Sequence, residues 1–158
     1  MGLSARIENE LDRLAATSPG NGTLKLHVEG GTLCAGFAAV NKLACALEEF
    51  LYSITQPAES TVEDLRQRAT KLAAKLSYLL EAISPIEIDN EACVIQMRSN
   101  PPEKDDDGSK YYELVVGRDE TRLSRYHKSA GQPRQIVPAT ITREVMVRLV
   151  TDITEPDA

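Results

Sequence analysis

Five basic residues, Arg122, Arg125, Lys128, Arg134 and Arg143, are the side chains whose type and crowding point most directly to chemistry. No Asp or Glu occurs from 121 to 143, and Tyr126 and His127 sit among the cations. Such a segment is what a phosphate, a nucleic acid or an acidic partner needs, because guanidinium and ammonium groups supply charge and aromatic rings supply stacking. Internal pairing competes with that reading. Residues 85–120 hold four Lys or Arg against ten Asp or Glu, and on a regular strand Arg122 and Arg125 point to opposite faces, so one of them must be satisfied inside or the strand must be bulged.

Other constellations fall short of their motifs. Gly30, Gly31 and Gly36 sit where a strand would meet a helix, but Phe37 and Ala38 occupy the places of the Lys and Ser or Thr of a phosphate loop. Asp105, Asp107 and Gly108 resemble part of a calcium loop, yet the twelfth position is Leu114 and supplies no bidentate carboxylate. His27, Cys34, Cys45, Cys93 and His127 show no paired spacing for zinc. A cysteine nucleophile needs a thiolate in electropositive, open surroundings, whereas Cys45 and Cys93 lie among apolar neighbours. No catalytic residue, metal site or cofactor is therefore expected, and an enzyme without signature is the third reading.

The elements that must carry these residues follow from periodicity. Leu3, Ile7, Leu11 and Leu14 predict an amphipathic N-terminal helix, peripheral within residues 1–22 and ended by Ser18-Pro19-Gly20. Leu24, Leu26 and Val28 alternate as a strand. Phe37, Val40, Ala44, Leu47, Leu51 and Ile54 keep a 3-4-3-4-3 spacing that predicts a helix over about 36–55. Ser60 with Glu63 reads as a capping box for a second helix over about 61–83, with a seam of Val62, Leu65, Ala69, Leu72, Leu76, Leu79 and Ile83. Beyond Pro85 the period falls to two, which predicts a hairpin turning at Asp89-Asn90, then strands at 111–117 and 121–127, and a last helix capped by Thr142.

The expected architecture is one α+β domain over 1–158: an antiparallel helical hairpin packed with a small antiparallel β-meander and a C-terminal helix. Leu43, Phe50, Leu72, Leu76 and Leu80 give the hairpin more apolar surface than one seam hides, which points to self-association. At 158 residues, 42% hydrophobic, 27% charged and net charge −6, the chain suits an ordinary globular protein more than a nucleic-acid binder. Three cysteines without a CxxC pair suit a reducing, cytoplasmic setting, and no stretch is long and apolar enough for a membrane span. The functional expectation is a non-catalytic protein-interaction module, a homodimer with room for a further protein partner. Polyanion or nucleic-acid binding through 122–143 is the runner-up.

Overall fold

The computed structural model of the chain describes residues 2–17 and 21–155, so the expected helix stop at Ser18-Pro19-Gly20 lies outside the described residues. Helix α1 (Leu3–Thr17) buries Ile7, Leu11 and Leu14, the spacing read from the sequence. Three strands follow in a meander: β1 (Gly22–Val28), β2 (Gly31–Val40) and β3 (Ala44–Ile54). Gly30 turns β1 into β2 at a φ of 91°, a left-handed conformation that suits a residue without Cβ, and the Tyr52 ring fills the space beside Gly31.

The expected helical hairpin is therefore corrected. Residues 36–54 are not a helix but two strands joined at Asn41, whose side-chain oxygen accepts from the N–H groups of Leu43 at 2.8 Å and Ala44 at 2.9 Å. A local reason makes these strands resemble a helix. Ala38 in β2 and Glu48 in β3 are bulged residues with no partner across the ladder. Each bulge lengthens the distance between successive inward side chains from two residues to three, so Phe37 is followed inward by Val40, and Leu47 by Phe50. Two bulges and one turn thus imitate a heptad.

The second expected helix exists but is shorter. Helix α2 (Val62–Lys75) starts at Thr61, one residue after the predicted cap: the Asp64 N–H donates to Thr61 Oγ1 at 3.1 Å and the Thr61 N–H donates to the Asp64 carboxylate at 3.0 Å. A tight 3-10 turn (Leu76–Leu79) follows, and Leu80 then reverses the chain at a φ of 65°. Ile83, expected in the helix, opens a strand.

The second half continues the sheet with β4 (Ile83–Asp89), β5 (Val94–Ser99), β6 (Glu103–Asp105), β7 (Gly108–Gly117), β8 (Glu120–Lys128), β9 (Gln135–Ile136) and β10 (Ala139–Thr142), closed by helix α3 (Arg143–Thr154). The predicted Thr142 cap is present, accepting from the Val145 N–H at 3.1 Å. Among the described residues all ten strands form one antiparallel sheet in the order β1-β2-β3-β8-β7-β5-β4, with β10 beside β3, β6 beside β7 and β9 beside β8. The inward alternation of the strands, Leu33, Phe37, Phe50, Leu114, Ile95 and Met97 among them, meets the buried stripes of α1, α2 and α3 in one core. The helices cover one face of the sheet and leave the other to solvent, the arrangement an antiparallel sheet tolerates when its outward positions are polar.

Candidate functional site

The basic run does not make one open face. Arg125 points inward from β8, buried, in ion pairs with Glu81 at 2.7 Å and Glu103 at 2.8 Å, and its guanidinium lies 4.6 Å from the Tyr112 ring centroid. Arg143 opens α3 and binds α1 through Glu8 at 2.6 Å and Asp12 at 2.7 Å. Arg122 faces outward and pairs with Glu120 at 2.7 Å. The Lys128 ammonium donates to the backbone carbonyls of Ser129, at 3.0 Å, and Gln132. Arg134 alone of the five pairs with Glu113 on the open sheet face.

There it joins Tyr126 and, from outside the basic run, residues that the sequence did not single out. Glu113 lies on the outward side of β7, only 7% exposed, and accepts hydrogen bonds from Gln96 Nε2 at 3.0 Å, Arg98 Nε at 3.3 Å, and Arg134 at 2.5 Å and 3.3 Å. Burial pushes the Glu113 carboxyl up, but the donors and the charge of Arg134 outweigh it and hold the group below its ordinary value. Arg98 lies 4.8 Å over the Tyr111 ring and Arg134 3.9 Å over the Tyr126 ring, while the two tyrosines pair across β7 and β8 with centroids 6.0 Å apart. The register places them: Glu113 opposes Ser124, Arg98 opposes Glu113, and Tyr111 opposes Tyr126. Once Tyr112, Leu114 and Val116 are read as the inward set of this strand, Tyr111 and Glu113 fall outward together, and that alternation was the available signal.

A different surface concentrates apolar groups. Between α2 and β4 runs a groove of about 620 Å³ whose apolar lining, Ala73, Ala74, Ala82, Ile83, Pro85 and Met97, is interrupted by Thr70, Ser77 and Glu81, with Leu80 at its rim. Leu80, just before β4, is 89% exposed, and Ile88 on β4 is 39% exposed. β4 is an edge strand, but Pro85 lacks an N–H and Ile86 is bulged out of register, so its backbone is a poor template for another strand. What remains to engage a partner is the side-chain groove.

Of the residues expected to drive self-association, Phe50, Leu72 and Leu76 are buried in the core of the chain itself. Leu43 is 81% exposed at the β2–β3 turn, next to the start of α3, on a different element from Leu80. Another cleft, about 760 Å³, lies between α2 and the ends of β1 and β3, and mixes Glu29 and Asp64 with Arg68 and Lys71. Cys34, Cys45 and Cys93 are free thiols on separate strands or turns, and burial pushes Cys45 up to about 11, the opposite of what a nucleophile needs. Among the described residues no group of His, Cys, Asp and Glu could hold a metal ion, and no helix is long and apolar enough to cross a membrane. No protein-family model, curated protein sequence or solved structure matches the chain.

Proposed function

We propose that the chain is a non-catalytic interaction module that docks a second copy of itself through the groove between α2 and β4. One observation carries this reading: a projecting apolar side chain, Leu80, and a groove lined mainly by apolar residues sit side by side on one surface. A two-fold interface needs that combination, because the patch must complement itself, with the knob of each copy entering the groove of the other. The backbone at Leu80 adds weight. A leucine in the left-handed region costs roughly 1–2 kcal/mol, and here it holds an aliphatic side chain in water rather than in the core. The free thiols, two of them buried, support a reducing cytoplasmic setting for the module.

Polyanion binding through 122–143 draws less support, because Arg122, Arg125, Arg134 and Arg143 are each engaged by carboxylates of the same chain. Light scattering tests the docking reading. The wild type is expected at twice the mass of the 17.3 kDa chain, and Leu80→Asp at the mass of one chain with an unchanged circular dichroism spectrum. A wild type that stays monomeric at roughly 100 µM, far above the Kd of an ordinary stable dimer, overturns it.

A further inference from the structure

We infer that the cleft on the open sheet face, lined by Arg98, Tyr111, Lys128, Arg134, Ile86 and Pro102, is a binding site for a carboxylate carried on an apolar or aromatic body. This inference does not rest on the self-docking reading, since the groove under α2 lies on the helix side of β4 and β5 and the cleft on the other. Its volume, about 600 Å³, falls in the range of small-ligand sites.

The charge of the cleft is not balanced by the chain. Its lining contains Arg98, Lys128 and Arg134 and no acid. Glu113, outside that lining, is already engaged by Gln96, Arg98 and Arg134. Arg134 spends both terminal nitrogens on that carboxylate, and Lys128 is held by two backbone carbonyls. Arg98 differs. Only its Nε is used, at 3.3 Å from Glu113, so its two terminal NH2 groups carry no hydrogen bond among the described residues while its side chain is 37% exposed. Two parallel N–H groups on a guanidinium match the two oxygens of a carboxylate, and one uncompensated guanidinium matches one negative charge.

The fork is also fixed before any ligand arrives. Glu113 holds Arg98 from below and the Tyr111 ring supports it 4.8 Å away, so little side-chain freedom is lost on binding. The apolar part of the ligand has its own surface. Tyr111 and Pro102 line the cleft, and so does Ile86, 49% exposed and bulged out of the β4 ladder. A hydrated inorganic anion uses none of that surface.

Isotope-labelled protein titrated with 4-phenylbutyrate, followed by the arginine Nε–Hε and backbone amide signals, tests the assignment. Saturable shifts at Arg98, Tyr111 and Ile86 are expected, with no matching shifts from 4-phenylbutanol, which lacks the charge, and weaker binding of inorganic phosphate. Arg98→Gln should weaken 4-phenylbutyrate at least about tenfold and Arg98→Lys less, whereas Arg66→Gln, an exposed arginine of α2, should change nothing. Should Arg98→Gln disturb the fold, Arg98→Lys alone decides, because it keeps the charge and removes the fork. A blocked tripeptide with Asp between two Phe residues separates the sources: tighter binding than 4-phenylbutyrate assigns the carboxylate to a partner chain, weaker binding to a free acid. Equal shifts from acid and alcohol, phosphate binding at least as tightly as the acid, or affinity untouched in both Arg98 variants overturns the proposal.

Discussion

Glu113 shows how one side chain organises the open face. Its carboxyl is depressed in the folded chain, so it contributes stability that is complete above the ordinary value of 4.5 and is lost as the pH falls through the folded one. Replacing it removes charge-assisted hydrogen bonds worth roughly 1.5–3 kcal/mol when fully enclosed, but Arg98 and Arg134 are more than a third open to solvent and screened by it. Glu113→Gln is therefore expected to cost about 1–2 kcal/mol at pH 7, measured by urea unfolding, and the difference from the wild type should shrink towards pH 3. A gap of the same size at both pH values would mean that shape, and not charge, is what Glu113 contributes.

At the scale of elements, the cap of α2 separates what the sequence says from what the fold does. Thr61→Ala removes the acceptor of the Asp64 N–H and should lower stability by about 1 kcal/mol, while Ser60→Ala should stay within about 0.5 kcal/mol, because Ser60 is used through its backbone carbonyl, which accepts from Arg118. Thermal unfolding of the two variants decides between the adjacent cap positions. The same offset explains the legibility of the rest. α1, β5, β7, β8 and the Thr142 cap were readable because each keeps a clean period or a proper cap, and the β4–β5 hairpin was readable from its turn at Asp89-Asn90 despite the bulge at Ile86. β2 and β3 were not, since the bulges at Ala38 and Glu48 turn a period of two into three beside the Asn41 turn. The candidate sites divide in the same way. Leu80 was legible as surplus apolar surface, but Glu113, Arg98 and Tyr111 come together only through strand register, which pairs residue 98 with 113 and 111 with 126 and leaves no mark in local spacing, while Arg134 arrives from the loop before β9.

The described residues form an antiparallel sheet clad with helices on one face, and its two candidate surfaces lie on opposite sides of the β4–β5 edge. Self-docking through the α2–β4 groove couples folding to concentration, because a partner that binds only the folded chain stabilises it by mass action. Above the Kd, a tenfold increase in chain concentration adds about 1.4 kcal/mol per dimer, or about 0.7 kcal/mol per chain, which in a domain of this length raises the thermal midpoint by roughly 1–3 °C. Leu80→Asn isolates that contribution. Asparagine enters the left-handed region more readily than leucine, so the isolated fold should lose nothing and gain a few tenths of a kcal/mol, while the knob disappears. The expected scan has a wild-type midpoint that climbs with concentration and a Leu80→Asn midpoint that stays flat, the two curves crossing at high dilution. A wild-type midpoint independent of concentration would remove the groove from consideration as a contact between copies and leave Leu80 a strained, exposed residue that the fold alone does not explain.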